Sequence, residues 1–114
     1  MRAAFAYAIK YVADMDRAVS FYRDTFGLKL KFATPIWSEF DTGPVTLALH
    51  PASERNPAGG VQLGFTTPEL AERYAARDAE GVTFSAAPRS EHGALLARIL
   101  DSEGAEVRLG SAPA

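Results

Sequence analysis

The sequence predicts an α+β fold built from two βαβββ modules that cover each other around one cavity. Three observations point to it. The stretch Tyr7–Tyr22 reads as a strand that stops at a capping Asp14 and passes directly into a helix, which ends at Gly27. The same plan returns in the second half, with Thr67 as cap and Gly81 as closing residue, and the two halves register to within one residue. Each helix is followed by three short runs of strand character. One such unit buries a single face of its sheet, so two copies must pack.

Residues 4–12 form the first strand, with Phe5, Tyr7, Ile9 and Tyr11 on one face and Ala6, Ala8, Lys10 and Val12 on the other. Two apolar faces imply cover on both sides, with Lys10 as the exception. The first helix runs from Met15 to about Phe26 and aligns Met15, Ala18, Val19, Tyr22 and Phe26 on one face. Asp16 adds negative charge at its positive end. Residues 28–32 alternate as a strand with one wet face, 37–41 form a third strand, and 45–50 a fourth that stops at Pro51. Residues 51–60 hold two prolines and two glycines and link the halves, giving module one at 4–50 and module two at 61–110 of a single domain.

In the second half, 61–66 is a strand, Thr67 caps, and Pro68 takes the first helical position. The second helix reaches about Glu80, with Glu69 and Arg73 spaced to pair. Residues 82–84 form a strand and 85–93 a loop containing Pro88 and Gly93. Residues 95–100 and 106–109 make the final hairpin.

Composition narrows the function. The chain of 114 residues is 47% hydrophobic and 23% charged, with a formal net charge of −2 and no basic run, which argues against nucleic-acid and anionic-membrane partners. It has no cysteine, so thiolate catalysis, disulfides and Cys-based zinc sites are excluded. Its apolar stretches are too short to span a bilayer and its start lacks a signal peptide, so a cytoplasmic location is expected. Neither half carries a Gly-rich phosphate loop or a nucleophile elbow.

The run Asp14-Met15-Asp16-Arg17-Ala18, Phe21-Tyr22 and Phe26-Gly27-Leu28 after a strand resembles the vicinal-oxygen-chelate superfamily, as do Leu63-Gly64-Phe65, Gly81-Val82-Thr83-Phe84 and Asp101-Ser102-Glu103-Gly104 in the second half. That superfamily includes glyoxalase I, extradiol dioxygenases, and fosfomycin- and bleomycin-resistance proteins. The resemblance implies a curved mixed sheet around one cavity and a homodimer. Its metal-dependent members place four ligands where this chain has Tyr7, Ala48, Gln62 and Arg108. Only Gln62 keeps a usable donor. Ala cannot coordinate, and an Arg cation repels a divalent metal. The chain thus resembles a member whose metal site is lost, with no cofactor expected. A register slip of two at Ala48 would bring in His50.

The implied function is metal-independent binding or sequestration of a small apolar or aromatic molecule, with an anionic group as an option, of the bleomycin-resistance kind associated with antibiotic resistance. The rival is a divalent-metal enzyme of the glyoxalase, lyase or dioxygenase kind using His50, Gln62 and Glu39 or Glu106. A third reading is a small interaction module with a filled cup. Tyr7, Tyr11 and Trp37 are either walls of a ligand site or ordinary core, and Trp37 is also readable as a dimer-interface residue. Arg108 anchors an anion, pairs internally with Glu39 or Glu106, or faces solvent. Gln62 and Glu39 are polar contacts. His50 and His92 are the candidate catalytic bases, each also readable as a surface or capping residue, and neither has a nucleophile adjacent in sequence.

Overall fold

The computed structural model describes residues 1–91 and 93–111. The α+β class and the doubled strand–helix–three-strand plan hold. In order the elements are β1 (Ala4–Val12), α1 (Met15–Ser20), a π-helical turn (Phe21–Thr25), β2 (Lys29–Phe32), β3 (Ser38–Asp41) and β4 (Thr46–Pro51). There follow β5 (Val61–Thr66), α2 (Leu70–Ala75), α3 (Arg77–Glu80), β6 (Phe84–Glu91), β7 (Ala94–Leu100) and β8 (Glu106–Gly110). The chain packs as two units, one of Tyr7–Gln62 and one of Met1–Ala6 with the residues from Leu63 onward.

In the Tyr7–Gln62 unit the strand order is β2-β3-β4-β1. β1 and β4 run parallel, with Ile9 beside Ala48 and Tyr11 beside His50. β3 is antiparallel to both its neighbours. The helix side is closed by Val19, Phe40 and Leu49, joined by Met15, Ala18, Tyr22 and Leu47. Fully burying a side chain of this size is worth about 1.5–3 kcal/mol, so these three dominate that layer. Asp14 caps α1 as its sequence position demands, accepting the Arg17 N–H at 3.1 Å.

The first helix departs from the 3.6-residue pattern at its end. Phe26 N–H bonds to Phe21 C=O, five residues back, and the wider turn shifts the helical phase. Phe26, expected on the buried face, is 61% exposed and stacks instead on Phe21 and Tyr22. Gly27 then takes φ +69°, as the chain reversal requires. Lys10, unexplained by alternation, donates Nζ–H to Gly59 C=O at 2.8 Å. Residues 59 and 60 also pair with the Tyr11 backbone, so the linker's end returns alongside β1.

The second unit repeats the order as β6-β7-β8-β5, with β5 and β8 parallel. Leu70, Ala97 and Leu109 form its core, with Phe65, Phe84, Leu95 and Ile99 packed around them. Three expectations are corrected here. Thr67 does not cap: it is 2% exposed, its N–H bonds to Gly110 C=O, and the residue at the helix boundary is Glu69. The second helix breaks at Ala76 into α2 and α3, and Arg73 pairs with Glu80 instead of Glu69. The stretch 85–93 is largely strand: β6 extends to Glu91 and, among the described residues, pairs with β7 alone, through register shifts on either side of Ala86 that accommodate Pro88. Among the described residues no helix is long and apolar enough to cross a membrane.

Candidate functional site

The face of the Tyr7–Gln62 unit opposite α1 gathers most of the residues singled out in the sequence. Period-two alternation along β1 puts Tyr7, Ile9 and Tyr11 on it. The parallel register brings Thr46, Ala48 and His50 alongside, and the antiparallel register sets Glu39 beside Ala48. Ile9, Tyr11 and Ala48 are buried, and Tyr7 and Trp37 pack over them.

The rings form a connected group. Tyr7 and Trp37 meet edge to face at 6.0 Å, Trp37 and His50 at 6.1 Å, and His50 and Tyr11 at 5.5 Å. These are favoured geometries for aromatic pairs. Ala48 matters by being small: it is fully buried with Tyr7 and Trp37 packed against it, so a larger side chain there would displace the two rings.

Polar groups are held among the rings. Glu39 is 7% exposed, and its carboxylate accepts the Trp37 indole N–H at 2.7 Å and faces Lys31 Nζ at 3.6 Å. Tyr11 donates its hydroxyl to Gln62 Oε1 at 3.0 Å, with both residues buried. The Tyr7 phenol is pushed above the usual tyrosine range, chiefly by burial and secondarily by the negative charge of Glu39. His50 places Nδ1 at 2.8 Å from Pro51 C=O. A carbonyl can only accept, so Nδ1 carries the proton and, in the neutral ring, Nε2 holds the lone pair.

Lys31 was not foreseen as a site residue. Its approach to Glu39 depends on β2–β3 pairing, in which Phe32 is the register partner of Glu39 and Lys31 falls at the shift between Leu30 and Phe32, a position that alternation within β2 does not reveal. Arg108 lies in the other unit, on β8, with Gly64 of β5 and Arg98 of β7 as its cross-strand partners. Glu106, two residues before it, faces Arg98 Nε at 3.5 Å and accepts the Ser85 hydroxyl at 2.7 Å. His92 lies outside the described residues.

A sequence model of the "Glyoxalase/Bleomycin resistance protein/Dioxygenase superfamily" matches residues 4–109. The chain belongs to this superfamily. Solved structures agree on the fold. A hypothetical protein from Bacillus halodurans superposes with a TM-score of 0.78 at 17% identity, covering 96% of this chain and 94% of that one. A superfamily member from Vibrio splendidus gives 0.66 at 16% identity, with 96% and 97% covered. A Streptomyces coelicolor methylmalonyl-CoA epimerase variant in complex with 2-nitronate-propionyl-CoA gives 0.73 at 19% identity, with 96% and 97% covered. Comparison with curated proteins produced no significant match.

Metal-using members of the superfamily need several convergent donors, and the residues here do not fit that need. Among the described residues no group of three or more His, Cys, Asp or Glu could hold a metal ion. Of the four positions implied by the resemblance, Ala48 has no donor and Arg108 is a cation. The Tyr7 phenol is harder to deprotonate than usual, and Gln62 Oε1 already accepts from Tyr11.

Proposed function

We propose that this superfamily member binds a small, partly aromatic molecule without a metal, in the manner of its bleomycin-resistance branch. One observation carries the reading: Tyr7, Trp37 and His50, all partly exposed, are joined edge to face above a buried layer containing Glu39 and Ala48. Rings so arranged offer a planar guest both stacking surface and edge contacts. Tyr11 and Gln62 form the buried polar floor of the same unit and orient those walls. Arg108, on β8 of the other unit, stays a separate candidate anchor for a negative group, as the resemblance implies. A homodimer and an intracellular role in sequestering a toxic compound fit this reading.

The rival is an enzyme in which His50, Gln62 and Glu39 or Glu106 hold a divalent metal. Two measurements separate them. Elemental analysis of protein purified without chelator should find no stoichiometric divalent metal. Titration with small aromatic compounds should change the fluorescence of Trp37, the sole tryptophan, saturably and independently of EDTA. A stoichiometric metal, or a response that EDTA abolishes, would overturn the proposal. Light scattering of the purified protein tests the dimer.

A further inference from the structure

We infer that the helix side of the Tyr7–Gln62 unit carries a second small-molecule site, a groove between α1 and β2 that takes an amphiphilic amine: an apolar body bearing a primary ammonium. The groove lies across the sheet from the ring face and depends on none of the residues assigned there. It has a volume of about 360 Å³, inside the range of roughly 300–1,000 Å³ that small-molecule sites occupy. Met15 and Val19 of α1, Leu30 of β2 and Pro35 beyond it supply an apolar lining. Val19 is buried and Met15 and Leu30 are half-buried, so these side chains form the floor. The exposed Asp16, Ser20 and Arg23 stand along the rim.

The charges at that rim select the guest. Arg23 is held by both oxygens of Asp24, at 2.8 and 3.1 Å, and its charge is offset there. The Asp16 carboxylate makes no hydrogen bond or ion pair among the described residues, and neither does the Ser20 hydroxyl. One uncompensated negative charge therefore borders an apolar floor. Asp16 and Ser20 are four apart on α1 and so share a face. A primary ammonium has three N–H donors, enough for the carboxylate, the hydroxyl and one water. A carboxylate guest would meet repulsion from Asp16, and a purely apolar one would leave that charge without a partner.

The groove is also built in advance. Thr34, which lines it, accepts the Trp37 N–H at 3.0 Å and donates its hydroxyl to Trp37 C=O at 2.7 Å, closing the turn that carries Pro35. Ser38 Oγ accepts the Thr34 N–H at 3.2 Å and lies 3.3 Å from Met15 Sδ, which ties that turn to the helix. With both walls fixed, a guest costs little ordering of the protein on binding.

The test uses the full chain with carbon-13 in its methionine methyl groups, of which there are two. Met15 lines the groove, and Met1, in the other unit, serves as the internal reference. Hexylammonium chloride should shift the Met15 methyl resonance saturably and leave Met1 in place. At matched ionic strength hexanol should bind about threefold more weakly, the size of a partly exposed ion pair, and sodium hexanoate more weakly still. Asp16→Asn should lower the hexylammonium affinity about threefold and leave that of hexanol unchanged, whereas Arg23→Gln should not weaken hexylammonium. The titration of the unmutated protein keeps the test independent of variant folding. An unmoved Met15 methyl, equal binding of the three probes, parent-like hexylammonium binding in Asp16→Asn or weaker binding in Arg23→Gln would each overturn the inference. Tighter binding of Nα-acetyl-lysine methylamide than of hexylammonium would assign the groove to a lysine of a protein partner, and would overturn it as well.

Discussion

The Trp37 indole donates its N–H to the buried carboxylate of Glu39 at 2.7 Å, two residues along the chain. The contact ties a partly exposed ring to a polar group inside the sheet, and it fixes the plane of that ring relative to Tyr7 and His50. Glu39→Ala would leave the indole N–H and Lys31 without their acceptor. The expected cost is about 1–3 kcal/mol in urea unfolding, the usual range for stranding a buried partner. Trp37 fluorescence in the folded variant should also change, because its immediate polar neighbour is gone. A variant as stable as the parent with an unaltered spectrum would show that the contact does not constrain the ring.

Ala48 is fully buried beneath Tyr7 and Trp37. Ala48→Phe should cost about 1–3 kcal/mol through overpacking and push the two rings apart. On the proposed function it should also remove the fluorescence response to aromatic compounds. Ala48→Gly adds no bulk and should retain that response while losing some stability. Binding retained in Ala48→Phe would place the guest elsewhere.

The two closing glycines permit a backbone comparison between the modules. Gly27 has φ +69° and Gly81 φ +70°, and a Cβ added at either meets nothing within 4 Å. The penalty of a side chain is therefore backbone strain alone. Gly27→Ala and Gly81→Ala should each cost about 1–2 kcal/mol in thermal or urea unfolding, with the Asn substitutions milder because Asn tolerates the left-handed region. Costs that differ widely between the two sites would mean that the halves do not use this turn equivalently.

Much of this architecture follows from local signals. Alternation on β1 correctly grouped Tyr7, Ile9 and Tyr11, and the Asp14 cap and the helix-closing Gly27 and Gly81 stand where chain chemistry requires them. The π-helical turn was hidden because its residues satisfy ordinary helical spacing, while the five-residue hydrogen bond depends on how Phe21 and Phe26 pack. Pro88 and Gly93 suggested a loop, yet an edge strand tolerates a residue without an N–H donor. Thr67 looked like a cap until its N–H found Gly110, more than forty residues away in sequence. Lys31 beside Glu39 and Arg98 beside Arg108 are products of strand register, which alternation within one strand does not specify.

Tyr7 links the ring face to pH. Burial, and then the charge of Glu39, raise its phenol above the ordinary tyrosine value. The folded state therefore keeps this proton at pH values where the unfolded chain has begun to release it. Between the ordinary and the raised value the folded protein binds more protons, so stability falls as pH climbs through that alkaline window and is fully retained below it. Phenolate absorbance of the native protein should show one of its four tyrosines ionising later than it does after unfolding. Tyr7→Phe should remove that late step and flatten the alkaline decline in stability. Glu39→Gln should move the step only partly back, since burial is the larger cause and remains. If Glu39→Gln restored the ordinary value completely, charge and not desolvation would govern Tyr7, and the ring face would be wetter than its packing implies.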